Sequence, residues 1–259
     1  MLDITPIPAF DDNYIWLLRA GESKSVAVVD PGEAFPVLEV LRADNLQLEA
    51  ILLTHKHGDH VGGVSALLQV FPDATVYGPA HEPIALDRVQ LTEGDRLNLP
   101  FLDVEFEVME VPGHTEGHIA YYTDGVLFCG DTLFSAGCGR VFSGTHEQLH
   151  EALMRFAQLP GETKVYCAHE YTQANIGFAL WVEPDNADVQ QRADVVEKLR
   201  SKGLSTVPST MAVEMKTNPF LRTDVESVIR AAEGYAGKKL TTGAEVFTAV
   251  RTWKDREYD

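Results

Sequence analysis

Ala50-Ile51-Leu52-Leu53 runs directly into Thr54-His55-Lys56-His57-Gly58-Asp59-His60, an apolar stretch followed by three imidazoles and a carboxylate within six positions. Imidazole nitrogens and carboxylate oxygens are what Zn²⁺, Fe²⁺ and Mn²⁺ bind. Four such groups on one tight strand-to-helix turn can hardly all point at solvent. His55 and His57 lie two apart, so in an extended segment both side chains leave on the same side. Asp59 and His60 begin the turn and face a different direction, which lets one motif feed two adjacent metals.

Working outward, three more candidate ligands follow short apolar runs. His114 comes after Phe106–Val111 through Pro112-Gly113, Asp131 after Val126-Leu127-Phe128-Cys129-Gly130, and His169 after Val165-Tyr166-Cys167-Ala168. Runs bounded by Gly or Pro read as core strands, and sites in sheets flanked by helices collect at strand ends. Seven such side chains at one sheet edge make two metal positions. Read singly, Asp131 also suits a turn or N-cap, and His169 a buried histidine. His81 beside Pro83, and His146 and His150 on a helix with Glu147 and Glu151, read as surface residues. His118 and Asp30 are candidates for orienting a ligand rather than being one.

On these residues the chain resembles the metallo-β-lactamase superfamily, whose His-x-His-x-Asp-His pattern with a later His, Asp and His is met at every position. More narrowly it resembles the glyoxalase II family. The likeness includes Pro8-Ala9-Phe10-Asp11-Asp12-Asn13-Tyr14, Gly130-Asp131-Thr132-Leu133-Phe134, Gly137-Cys138-Gly139-Arg140, Ala168-His169-Glu170-Tyr171-Thr172 and Asn218-Pro219-Phe220-Leu221-Arg222. The resemblance implies an α/β (α+β) fold: a four-layer αββα metallo-β-lactamase sandwich over residues 1–170, then a small C-terminal helical glutathione-binding domain over 171–259. It places one metal on His55, His57 and His114 and the other on Asp59, His60 and His169, with Asp131 bridging. Asp59 and Asp131 are then the catalytic carboxylates. It assigns glutathione binding to Arg140, Phe142, Tyr171, Arg251 and Lys254. Phe142 stands where relatives often carry Tyr, which removes a hydroxyl contact.

The activity implied is hydrolysis of S-D-lactoylglutathione and other 2-hydroxyacyl glutathione thioesters, the second step of methylglyoxal detoxification. Two cations bridged by a carboxylate share a water and lower its pKa towards neutrality. The resulting metal-bridging hydroxide attacks the thioester carbonyl, and the metal at His55, His57 and His114 stabilises the oxyanion. A thiol with pKa near ~8.5 leaves without a dedicated acid. The cofactors expected are two divalent metal ions, zinc first, with iron or manganese accepted by the same donors.

Composition agrees. At 259 residues and 45% hydrophobic content the chain can bury a sizeable core. The first twenty residues hold Asp3, Asp11 and Asp12 and no basic region followed by an apolar stretch, and no run is long enough to span a membrane. The cysteines, Cys129, Cys138 and Cys167, are odd in number and lack metal-type spacing, so a reducing cytoplasm and core packing are expected. A formal charge of −18 repels phosphate backbones and argues against nucleic-acid partners. An anionic peptide substrate then needs local positive charge, for which Arg140, Arg251 and Lys254 are available. A small-molecule thioester, no membrane and a monomer complete the expectation.

The apolar runs predict strands at Tyr14–Leu18, Val26–Val29, Ala50–Leu53, Thr75–Tyr77, Phe106–Val111, Ile119–Tyr122, Val126–Cys129 and Lys164–Cys167. Helices are predicted at Phe35–Ala43, Gly62–Phe71 and His146–Leu159. After residue 170 only helices are expected: Ala174–Trp181, Ala187–Lys202, Thr223–Ala236 and Thr242–Thr252. The rival functions are lactone or β-lactam hydrolysis on the same metals, iron-dependent oxygen or sulfur chemistry, and a non-enzymatic zinc-stabilised domain. Structural zinc prefers Cys-rich sets, and none of the cysteines falls in the ligand pattern.

Overall fold

The structure is a computed structural model and describes residues 2–258. The chain falls into two compact units, one formed by residues up to Glu110 with Glu116–Gly130, the other by Val111–Thr115 with the chain from Asp131 onward.

In the first unit, β1 (Leu2–Ala9), β2 (Asn13–Ala20), β3 (Ser25–Val29), α1 (Ala34–Ala43), β4 (Gln47–Leu52), α2 (Gly58–Val61), α3 (Val64–Val70), β5 (Thr75–Pro79) and β6 (Val89–Leu91) are followed by β7 (Arg96–Leu99), β8 (Val104–Glu110), β9 (Ile119–Thr123) and β10 (Val126–Gly130). Strands β1 to β6 form a mixed sheet in sequence order, antiparallel through β3 and parallel from β3 to β6. One face of it packs Ile15, Leu17, Val26, Val28 and Ile51 against Val37 and Leu41 of α1 and Val64 and Leu67 of α3. The other face carries Trp16, Leu18, Ala27, Val29, Ala50 and Leu52, which are also buried. Strands buried on both faces lose the polar alternation of a half-exposed sheet, which is why these runs read as continuously apolar. Strands β7 to β10 make an antiparallel meander, with Phe106 edge-on to Tyr121 and Phe128. Tyr121 Oη donates to Leu53 O at 2.8 Å, tying this meander to the end of β4.

The second unit contains β11 (Leu133–Phe134), β12 (Gly137–Cys138), α4 (His146–Phe156), β13 (Lys164–Cys167), α5 (Thr172–Val182), α6 (Ala187–Arg200), β14 (Ser209–Thr210), α7 (Met211–Thr217), α8 (Glu226–Ala236) and α9 (Gly243–Trp253), which runs into a π-helical turn at Lys254–Tyr258. Capping boxes start α4 (Thr145 with Gln148) and α9 (Thr242 with Glu245), each cap being worth about 1 kcal/mol. Gly237 in the left-handed conformation ends α8. Leu149, Leu153 and Phe156 of α4 and Val246, Phe247 and Val250 of α9 are fully buried or nearly so. Truncating Phe247 to alanine would cost about 3–5 kcal/mol.

The differences from the sequence reading have physical causes. β1 goes unpredicted because Pro6 and Pro8 interrupt it; it is an edge strand, where a missing amide donor costs nothing. The helix predicted at Gly62–Phe71 is α3, starting only at Val64, and Gly62-Gly63 separates it from the short α2, which was not predicted. α7 is a helix no pattern announced, and β14 is a short strand beyond residue 170, paired with β13. His146 and His150 are not plain surface residues: both are partly buried, with rings against Phe247. His150 Nε2 also lies 3.0 Å from Thr223 Oγ1.

Candidate metal centre

In the first unit the site begins where β4 ends. Asp30, with φ of 52° and only 4% exposed, accepts from Thr54 N (2.8 Å) and Thr54 Oγ1 (2.7 Å) and lies 3.0 Å from His60 Nδ1. Because Thr54 Oγ1 spends its proton on Asp30, it accepts from His55 Nδ1, 3.1 Å away. Both rings therefore carry hydrogen on Nδ1 and turn a lone pair outward at Nε2. His55 Nε2 faces His57 Nδ1 at 2.9 Å, and His60 Nε2 faces Asp59 Oδ2 at 3.5 Å. Asn13 Nδ2 donates to that same Asp59 oxygen at 3.1 Å. His118 is fully buried and stacks on His55, with ring centroids 4.6 Å apart. Gly130, at φ of 48°, has no side chain because a Cβ would lie 2.4 Å from Thr54 Oγ1 and 2.8 Å from the His118 ring.

In the second unit Asp131 stands between two imidazoles, with Oδ2 3.4 Å from His114 Nε2 and Oδ1 3.4 Å from His169 Nε2. His114 Nδ1 donates to Arg140 O at 2.8 Å, which again leaves Nε2 as the lone-pair atom. Tyr171 stacks on His169 nearly parallel, 4.6 Å between centroids, and Phe134 meets both rings edge-on.

These spacings test whether the donors suit a metal. Bonds of about 2.0–2.1 Å put two ligand atoms of one ion about 2.9 Å apart at a right angle and about 3.4 Å apart in a tetrahedron. The pairs within each unit span that range, and a proton shared between lone pairs does not account for all of them. Among the described residues, the candidate metal donors are His55, His57, Asp59 and His60 in the first unit and His114, Asp131 and His169 in the second. The His/Asp cluster supports a dinuclear metal site.

A cleft of about 510 Å³ in the second unit is lined by His114 and Asp131 together with Arg140, Phe142, Tyr171, Arg251 and Lys254. The same cleft includes Phe134, Cys138, Ala174 and Asn175, which the sequence reading did not single out as binding residues. Phe142 is 66% exposed at the cleft and meets the His114 ring edge-on. Arg251 is 1% exposed: Nη1 donates to Cys138 O at 3.1 Å, Nη2 to Asp255 Oδ1 at 2.8 Å, and the guanidinium lies 5.1 Å over the Phe220 ring. It therefore braces the cleft wall as well as charging it. Burial pushes the Cys138 thiol up to about 11 against the pull of Arg251, so it is an inert wall group.

The wall has a polar support. Asn218 Nδ2 donates to Phe134 O and Gly137 O, and the buried Glu214 accepts from Ala136 N, Ser135 Oγ and Ser209 Oγ, so α7 holds the β11–β12 hairpin. Burial raises the Glu214 pKa, and these donors only partly offset it. Asn175 and Glu214 had no local signature beyond their residue type, and Asn13, though inside the Pro8–Tyr14 stretch of the family likeness, had been given no role there.

Comparison with known proteins extends this picture. Residues 9–169 match the model of the metallo-beta-lactamase superfamily, and residues 170–257 that of the hydroxyacylglutathione hydrolase C-terminus. The hydroxyacylglutathione hydrolase of Aeromonas hydrophila is 54% identical over 98% of this chain and 99% of its own. That of Pseudomonas fluorescens is 51% identical over 99% and 100%. Among solved structures, TTHA1623 in a di-iron-bound form superposes with a TM-score of 0.62 at 27% identity, covering 84% of this chain and 100% of that one. The chain has the metallo-β-lactamase fold with a helical C-terminal region, and it belongs to the hydroxyacylglutathione hydrolase family.

Proposed function

We propose that the protein hydrolyses S-D-lactoylglutathione and related 2-hydroxyacyl glutathione thioesters to glutathione and the free hydroxy acid. The observation that carries this reading is the cleft in which His114 and Asp131 share a wall with Arg140, Arg251 and Lys254. A metal-ligand pair beside three cations suits an anionic acyl-peptide in a chain whose net charge is −18.

In this reading His55, His57 and His114 would hold one ion, Asp59, His60 and His169 the other, and Asp131 would serve both. Two bound cations, zinc first, supply an ionised water at neutral pH and polarise the thioester carbonyl. The chain's own residues do the positioning. Asp30, Thr54 and Arg140 O hold protons on the Nδ1 atoms of His60, His55 and His114, which leaves each Nε2 as the lone-pair atom that would ligate a metal. Asn13 fixes the rotamer of Asp59. Arg140, Arg251 and Lys254 bind the peptide carboxylates, while Phe142 and Tyr171 flank the peptide with rings. The leaving thiolate requires no proton from a side chain. Residues 1–170 supply the dimetal hydrolase domain and 171–259 the helical glutathione-binding domain, in a cytoplasmic monomer.

The test is free-thiol release from S-D-lactoylglutathione by purified protein, with and without a strong chelator. Fast, chelator-sensitive release is expected. No release from metal-replete protein would sink the substrate assignment and send lactones to the assay next.

A further inference from the structure

Lys254 is 5% exposed yet lines the cleft, so something must hold a long, flexible ammonium chain in place there. It opens the π-helical turn Lys254–Tyr258 that follows α9. Turns of this kind are rare and occur often at functional sites. The far end of the turn folds back: the Tyr258 ring lies 5.5 Å from Phe178 and 4.9 Å, edge-on, from Trp181, both on α5. Gly177 makes room for it, since a Cβ at that position would come within 2.0 Å of Tyr258 Oη. The Lys254 ammonium sits over the Tyr258 ring, 5.8 Å from its centroid, within the range of cation–π attraction. The next residue, Asp255, holds Arg251 at 2.8 Å and lies 3.8 Å from Arg140 Nε. One five-residue turn thus carries a cation, the carboxylate that anchors two others, and an aromatic anchor.

We propose that Tyr258 is a positioning residue for substrate binding: its ring, seated over Gly177 and against α5, fixes the Lys254 ammonium at the cleft. The assignment rests on the reading of this cleft as the site for the peptide carboxylates of a glutathione thioester. The π-face of the ring acts on the ammonium; the phenol hydroxyl is not needed for it. Tyr258 is not among the residues that line the cleft, so through Lys254 it acts on KM and leaves kcat alone.

The experiment compares wild type, Tyr258→Phe, Tyr258→Leu, Lys254→Ala and the Tyr258→Leu/Lys254→Ala pair. The substrates are S-D-lactoylglutathione and the lactoyl thioester of N-acetylcysteamine, which has no peptide carboxylate. Tyr258→Phe is expected to match wild type. Tyr258→Leu raises KM for the glutathione thioester about three- to tenfold with kcat unchanged, leaves the small thioester unaffected, and adds nothing once Lys254 is alanine. An unchanged KM in Tyr258→Leu, an equal rise in the Lys254→Ala background, or a fall in kcat on both substrates overturns the proposal. A second readout is independent of substrate: labelling of Lys254 by an amine-reactive ester, followed by mass spectrometry, rises several-fold in Tyr258→Leu and not in Tyr258→Phe. Unchanged labelling would overturn the proposal even if wild type turned out inactive on glutathione thioesters, an outcome that by itself counts only against the substrate reading.

Discussion

Asp131 shows what one side chain contributes here. Its two oxygens each face the Nε2 atom of a different histidine at 3.4 Å, the arrangement expected of a carboxylate that would serve two ions under the proposed reading. Asp131→Ala is expected to abolish hydrolysis, by well over a hundredfold, with loss of bound metal measured by elemental analysis. An alanine variant that keeps full metal and activity ends the bridging assignment. Phe142 poses a gentler question. Restoring a hydroxyl with Phe142→Tyr should lower KM for S-D-lactoylglutathione about two- to tenfold, the worth of one added hydrogen bond; no change in KM would mean that the ring serves only as a wall. The histidines and Asp131 were legible as candidates because metal affinity belongs to the residue type and the spacing is local. Asn13 and Glu214 were not, because an amide or a carboxylate acquires its role only from the groups packed around it.

At the scale of elements, the contact of α4 with α9 is one that pH reaches. Burial lowers the pKa of both His146 and His150; for His146 the nearby Asp255 and Glu147 oppose the shift and Arg251 adds to it, and for His150 Glu151 opposes it. An unfolded chain protonates these rings near pH ~6.5, whereas the folded chain does so only at lower pH. Between those points the unfolded state binds more protons. The stability contribution is therefore full above pH ~6.5 and is lost as pH falls through the folded values. Urea midpoints at pH 7.5 and 5.5 should fall less in a His146→Gln/His150→Gln variant than in wild type, and an equal fall would reject the assignment. Helices such as α1 and α4 were readable from their periodicity, and the start of α6 from Asn186 as its cap. The break between α2 and α3 turned on paired glycines, and α7 on Glu214 packing beneath a hairpin far away in sequence.

For the whole molecule, the charge of −18 and the cationic cleft act in opposition, and the cleft prevails only at short range. Metal should couple to stability at the same scale, since the proposed donors lie as far apart in sequence as His55 and His169. Stripping the metal with a chelator should lower Tm and abolish activity, and readdition of zinc, iron or manganese should restore both. A chelated protein with unchanged Tm would show that the fold does not depend on its ions. Among the described residues no helix is long and apolar enough to cross a membrane. The sequence by itself determined which side chains are candidate metal donors and the presence of a mixed α and β region followed by helices, because ligand type, local spacing and hydrophobic period are properties of short stretches. Only the tertiary structure decided which ring nitrogen of His55, His60 and His114 carries the proton, that Arg251 is a buried brace held by Asp255, and that a C-terminal tyrosine sits over Lys254. Those outcomes depend on which groups from distant parts of the chain become neighbours, and no local pattern encodes that.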